Sequence, residues 1–342
     1  MDLLPSDEEL SIAQTVAELL HRELPRELLR ERQNEQTSIS AEAWSICAES
    51  GLLALGLAEG SGGVGFGLVE EALAFREIGR ELAPGPFLSS VIGARLAAEA
   101  GDTELVRAIV SGDRQVGLIL PRAGATFDGS VVTGEVELVD ATGSDLLLLL
   151  RPDVSALFDR ASFASALPWQ SIDPGVRLEV ATAVGVEPVL AVVDSAELWA
   201  RAVVLSSAIL TGISEACRDA STTHAKTREQ FGRPIGVNQA IKHRCADMAM
   251  YSEAASAQLL YAAAAGDAES ADFGYQASIA RVVASRAAIS NAEANIQVHG
   301  GMGYTYEHDA HLYVKRARVW ANLIGSRTFH LSAVIDEIRV AA

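Results

Sequence analysis

The spacing of apolar positions changes twice along the chain. Through residues 1–112 it follows a helical period. Leu10, Ile12, Val16, Leu19 and Leu20 form one apolar stripe, and Ser6 with the acidic run Asp7, Glu8 and Glu9 marks its start. Further helices are predicted over Ala41–Ser50, where Gly51 supplies the stop, over Leu68–Arg80 and over Ser89–Ala100. Between the last two, Leu82-Ala-Pro-Gly-Pro-Phe87 blocks continuation, because each proline lacks an N–H and restricts the residue before it.

From Gln115 to about Val193 the pattern shortens. Val116–Leu120, Val131–Val139, Leu146–Leu150, Arg177–Thr182 and Val189–Val193 are brief β-branched or apolar runs separated by Gly, Asp and Pro. The run VVTGEVELV alternates in its second half, as a half-buried strand does. From Ser195 the helical period returns in four long alanine-rich segments, Ala196–Thr227, Ile235–Ala265, Ser270–Val298 and His311–Ala341. Alanine favours helix and lets helices approach closely, so an antiparallel bundle is predicted. The expected fold is mainly α with a central β domain. It comprises an N-terminal helical domain over 1–113, a small β-barrel or sandwich over 114–194 and a C-terminal four-helix bundle over 195–342.

Charge and cysteine content narrow the function. Across 342 residues there are 27 basic and 45 acidic side chains, a net charge of −18. Such a surface does not suit a phosphate backbone or a polybasic membrane patch, so neither nucleic acid nor membrane is expected as a partner. A local basic pocket for a small anion remains compatible with that envelope. Cys47, Cys217 and Cys245 are odd in number and widely spaced, which reads as reduced thiols in a cytoplasmic protein. The acidic N-terminus does not read as a signal peptide, and Leu146–Leu150 is far short of the ~20 apolar residues that span a bilayer.

Several motifs carry candidate chemistry. Gly60-Ser-Gly62-Gly-Val-Gly65 fits the letters GxGxxG, but it follows a helix and precedes no βαβ unit, so it reads as an inter-helix loop. His308 and His311 share a helical face, yet no acidic cluster completes a metal site, and none is expected. No serine sits in a G-x-S-x-G elbow. Thr227-Arg-Glu-Gln-Phe-Gly-Arg-Pro-Ile235 falls where one long helix ends and another begins. Arg228 can grip a phosphate bidentately, Phe231 can cover a flat ring, and Gln239 can meet a polar ligand edge. Taken alone, the segment fits an αα-turn with a surface arginine equally well. In Gln297-Val-His-Gly-Gly301-Met-Gly-Tyr304, three glycines crowd into four residues after a helix. Ending a helix takes one. Three permit close approach of backbone N–H groups to a ligand.

Together these residues resemble the acyl-CoA dehydrogenase family. Its R-x-x-F-G-x-x-I…Q-A-I…D-M pattern is matched by Arg228, Phe231, Gly232, Ile235, Gln239-Ala240-Ile241 and Asp247-Met248. Its Q-x-x-G-G-x-G-(F/Y) pattern is matched by Gln297, Gly300, Gly301, Gly303 and Tyr304. The run from Gly51 to Phe87 is also similar to the family, as is the helix–strand–helix order of the whole chain. The resemblance implies FAD, an acyl-CoA substrate and an acceptor of the electron-transfer flavoprotein type. It assigns the FAD pyrophosphate to Arg228, the adenine side to Phe231, a polar cofactor edge to Gln239, and the ADP part to Gln297, Gly300 and Gly301.

The chain departs from the family where a glutamate should remove the substrate α-proton. Ile324 stands at the usual position of that base, and Ala202 at the alternative one on an earlier helix. The T-E-P-x-A-G-S-D loop and W-I-T-N strand of the family's β domain are also lacking, with Leu120-Pro-Arg-Ala-Gly124 as a remnant. The resemblance is to the short subunits of actinobacterial α2β2 dehydrogenases of steroid side-chain catabolism. It implies a paralogous partner that supplies the flavin-ring pocket and the base. The alternatives are a self-sufficient homodimer with a displaced carboxylate, such as Glu215, Glu307 or Asp309, and a flavin-free structural or regulatory module.

Overall fold

A computed structural model describes residues 4–341. Six helices come first: α1 (Asp7–Glu23), α2 (Leu28–Glu31), α3 (Ala41–Glu49), α4 (Leu68–Glu81), α5 (Phe87–Glu99) and α6 (Thr103–Val110). Eight strands follow: β1 (Val116–Pro121), β2 (Thr126–Phe127), β3 (Val132–Val139), β4 (Leu146–Leu149), β5 (Val154–Asp159), β6 (Leu167–Trp169), β7 (Leu178–Val186) and β8 (Leu190–Val193). The remainder is α7 (Ala196–Thr227), a hairpin of β9 (Glu229–Gln230) and β10 (Arg233–Pro234), then α8 (Gln239–Asp267), α9 (Phe273–His299), α10 (Ala310–Leu323) and α11 (Arg327–Ala341). The mainly helical fold with a central sheet is as the sequence predicts. The chain divides into two compact units. One holds His21–Glu71 and Pro84–Ala202, and the other holds the residues up to Leu20, Ala72–Ala83 and the chain from Val203 onward.

The first unit is built on a mixed sheet of order β6-β7-β3-β1-β4-β5-β8, with β2 added to β3. β1 and β4 run parallel, with Leu118 opposite Leu148, and the other pairs are antiparallel. β4 and the first five residues of β5 are buried throughout, so neither alternates: β4 is an unbroken leucine run, and in β5 the buried Ser155 interrupts the apolar side chains. Phe127, Phe158 and Phe163 meet edge-on in the sheet's core, at centroid distances of 5.7 and 6.1 Å. The remnant Leu120-Pro-Arg-Ala-Gly124 closes β1 and turns towards β2, and its Arg122 pairs with Glu135 at 2.9 Å. The GxGxxG segment forms a single 3-10 turn, Glu59–Ser61, and loop between helices. Gly63 is required there, since a Cβ would meet the Leu57 carbonyl oxygen at 2.0 Å.

The second unit is helical. At the start of α1 the Glu9 carboxylate accepts from the Ser6 N–H while the Ser6 hydroxyl accepts from the Glu9 N–H, a reciprocal capping box. Small side chains line the inside of the long helices: Ala255, Ala262 and Ala263 on α8, and Ala280, Ala284, Ala288 and Ala292 on α9 are all buried. The last predicted helix, His311–Ala341, is two helices. Gly325 adopts φ +75°, and the Ser326 hydroxyl accepts from the Phe329 N–H at 3.2 Å. A left-handed glycine followed by a capping serine ends α10 and starts α11. α7 is long and apolar enough to cross a membrane, but 78% of its most apolar window is buried inside the fold.

Candidate functional site

All six residues expected to hold a cofactor lie in the helical unit, and all six are exposed. α7 ends at Thr227, and its last-turn hydrogen bonding continues from the Arg228 N–H to the His224 carbonyl at 2.8 Å. The chain then folds back. Gln230 pairs with Arg233, leaving Phe231 and Gly232 as a two-residue loop at φ +55° and +77°. A hairpin this short needs positive φ at both positions. Gly232 adopts it freely, whereas phenylalanine accepts a strain of about 1 kcal/mol. Phe231 is also 99% exposed. The strained aromatic ring is thus left open to solvent.

The hairpin returns to the helix end, where the Ile235 N–H donates to the Arg228 carbonyl at 2.8 Å. A short turn then delivers Gln239 as the first residue of α8. The cap residue Asn238 makes no side-chain cap bond there. The helix therefore starts with amide donors that its cap side chain does not claim.

At the far end of α9, Gln297 occupies the last turn and Gly300 turns the chain at φ +62°, ψ −140°, a conformation for glycine alone. A 3-10 turn, Gly300–Tyr304, follows. A Cβ at Gly300 or Gly301 would meet nothing within 4 Å, so both present open backbone.

Three histidines join these two segments. The His299 ring packs against His224, with centroids 4.2 Å and planes 32° apart, and against His308 at 4.4 Å and 51°. His224 lies one turn before Arg228, and His299 directly precedes Gly300. The stack therefore brings the arginine-bearing end of α7 to the glycine turn. This arrangement was not evident from the motifs, although His299 lies inside one of them. Burial, then the neighbouring His308 and Arg228 charges, lower the pKa of His224. Burial, with His224 and His308, also lowers that of His299, against the opposing hydrogen bond to Asn295.

The donor set is one guanidinium, two carboxamides and open glycine backbone, beside an uncovered aromatic ring. It suits a pyrophosphate joined to a flat heterocycle, and the residues present therefore fit the ADP half of a dinucleotide.

The two positions that the resemblance gives to the family's base are closed. Ala202 is 0% and Ile324 is 2% exposed, and each carries a hydrocarbon side chain. Glu215, one of the alternative carboxylates, is buried in an ionic cluster, 3.0 Å from Arg80 and 3.7 Å from Arg76. His308 and His311 take separate roles, since His311 stacks on Tyr306 at 5.2 Å. Among the described residues, no group of three or more His, Cys, Asp or Glu is arranged to hold a metal.

A helical segment, a central mixed sheet and a helical bundle define the architecture, and comparison with known proteins gives the family. Residues 6–111 match the model "Acyl-CoA dehydrogenase, N-terminal domain" and residues 193–338 match "Acyl-CoA dehydrogenase, C-terminal domain". The chain belongs to the acyl-CoA dehydrogenase family, and so to the oxidoreductases. It is 32% identical to acyl-CoA dehydrogenase IpdE2 of Mycobacterium tuberculosis, over 95% of both proteins. It is 29% identical to IpdE2 of Mycolicibacterium smegmatis, over 94% of this chain and 95% of that protein. Its fold is similar to a Tcur3481–Tcur3483 steroid ACAD, with TM-score 0.88, 23% identity and 98% of each chain covered. It is also similar to the ChsE4–ChsE5 complex from M. tuberculosis, with TM-score 0.87, 24% identity and 99% of each chain covered.

Proposed function

We propose that this chain is one subunit of a heteromeric, FAD-dependent acyl-CoA dehydrogenase, and that it supplies the ADP-binding half of the FAD site. The observation that carries the reading is an asymmetry. Arg228, Phe231, Gln239, Gln297, Gly300 and Gly301 are all exposed, while the two base positions hold the buried hydrocarbons Ala202 and Ile324. Arg228 would neutralise the pyrophosphate, Phe231 would cover the adenine side, and Gln239 would meet a polar edge. Gln297 and the glycine turn would hold the rest of the ADP part. Bound FAD supplies the hydride acceptor for α,β-dehydrogenation of an acyl-CoA thioester. A paralogous partner, in an α2β2 assembly, would supply the flavin-ring pocket and the glutamate that takes the α-proton. The similarity to a steroid ACAD and to a two-protein complex supports a steroid side-chain CoA as substrate and a paralogue as partner. An electron-transfer flavoprotein would be the acceptor, in the cytoplasm.

The test is natively tagged co-purification, followed by a visible spectrum and turnover with an acyl-CoA. The complex is expected to be yellow and active, and the chain alone deficient in both. A chain that is saturated with FAD and active by itself would overturn the division of the site in favour of a homodimer. A colourless complex would leave a flavin-free module.

A further inference from the structure

The ring stack His224–His299–His308 lies in the helical unit beside the proposed cofactor rim, and no part of that reading uses it. Its hydrogen bonds fix the protons. The His299 Nδ1 is 2.9 Å from the Asn295 carbonyl oxygen, so it carries a proton and donates it. The His308 Nδ1 accepts from the Ala310 N–H at 3.1 Å, so that nitrogen must be bare. Ala310 opens α10, and His308 therefore caps that helix only in its neutral form. A proton on Nδ1 would remove the cap and set a cation at the positive end of the helix dipole. A second proton in the stack would place like charges a little over 4 Å apart in a partly buried site. On α7 the Arg228 charge is also positive and opposes protonation of His224. On α9 the ring meets the neutral Asn295 carbonyl. Glu307 and Asp309 flank His308 along the chain, and His311 follows one turn on.

We propose that His224, His299 and His308 are positioning residues, which hold Arg228 against the Gly300–Gly301 turn only while the stack is neutral, so that acidification loosens the grip on the ADP half. The inference rests on the FAD reading above and adds a proton-linked control to the same site. It predicts a sign that electrostatics alone would reverse. Imidazolium near a pyrophosphate should attract it, whereas loss of the clamp should release it.

The experiment titrates the purified complex, stripped of flavin, with FAD and separately with ADP, from about pH 7.5 to about pH 5.5. Both dissociation constants are expected to rise by at least about threefold across that range, following the proton linkage. The double variant His224→Phe, His308→Asn keeps a flat ring in the stack and an acceptor for the α10 cap, but cannot titrate. It is expected to bind within about threefold of wild type at the higher pH and to show no acid weakening. Should the double variant fail to fold, His224→Phe alone is expected to shallow the profile. Tighter binding at low pH, or an unchanged profile in the variants, overturns the inference. A complex that binds neither probe at the higher pH overturns the FAD reading itself, and this inference with it.

Discussion

The Arg281 guanidinium donates from Nη2 to the Trp320 carbonyl oxygen at 2.5 Å, and its Nε and Nη1 have no hydrogen-bond partner. Arg281 is completely enclosed, and burial alone pulls its pKa down to about 9. A buried cation with one neutral acceptor costs more than it returns, because desolvation exceeds the gain from a single bond. Arg281→Met keeps the volume and removes the charge. Its thermal and urea stability should equal wild type or exceed it by up to about 3 kcal/mol. A loss of more than about 1 kcal/mol would mean that the Trp320 contact is worth more than this balance allows.

Gly301 separates folding from ligand binding. A Cβ there meets nothing within 4 Å, and the position has no positive φ. Gly301→Ala should therefore leave the melting temperature of the flavin-free protein unchanged. If open backbone at this turn receives the pyrophosphate, the added methyl should still lower FAD affinity, by roughly tenfold for about 1.4 kcal/mol. Gly300→Ala should do both, since it also forces alanine into a glycine-only conformation costing about 1–3 kcal/mol. Equal FAD retention in Gly301→Ala and wild type would place the cofactor elsewhere.

What the sequence made legible was local. The arginine–phenylalanine segment and the glycine run each lie in one stretch of chain, and their residue types already state a conformational need. The histidine stack was hidden because His224 and His299 meet only through the packing of α7 and α9. β5 was missed because the buried Ser155 breaks its apolar run, leaving neither the unbroken run that marked β4 nor a regular alternation. α6 was missed despite a readable signal, since the Asp102 carboxylate caps it by accepting from the Leu105 N–H at 3.0 Å. The α10–α11 break was legible too, because Gly325-Ser326 is a stop followed by a start. The helical period simply ran on through it.

Glu215 distinguishes a structural carboxylate from a displaced base. It shares Arg80 with Asp219, whose contact is 2.8 Å, and Glu77 stands beside the same arginines. Burial raises the pKa of Glu77, and the negative charge of Glu215 adds to that rise while Arg76 and Arg80 oppose it. Glu215→Gln should cost about 1–2 kcal/mol of stability, less than a fully buried pair because Arg80 is partly solvated. Per folded molecule, the dehydrogenase activity of the proposed complex should be unchanged. Activity lost with flavin and folding intact would instead identify Glu215 as the base.

His330 gives the helical unit an acid limit. Its Nε2 donates to the Ile324 carbonyl oxygen at 2.8 Å, which ties α11 to the turn at the family's base position. Burial pulls its pKa from 6.5 to about 4, the nearby Arg281 charge acts in the same direction, and the Ile324 bond opposes both. A folded-state pKa below the unfolded value means that the unfolded chain takes up the proton first. The neutral ring's contribution is therefore complete above about pH 6.5 and is lost as pH falls towards 4. Across the whole window that amounts to on the order of 3 kcal/mol, and to about 2 kcal/mol between about pH 6.5 and pH 5. His330→Gln can keep a donor to Ile324 but cannot titrate. Urea unfolding should find wild type the more stable near neutrality, with the gap closing by about 2 kcal/mol at about pH 5. Parallel stability curves for the two proteins would show that His330 is not the group that sets the limit.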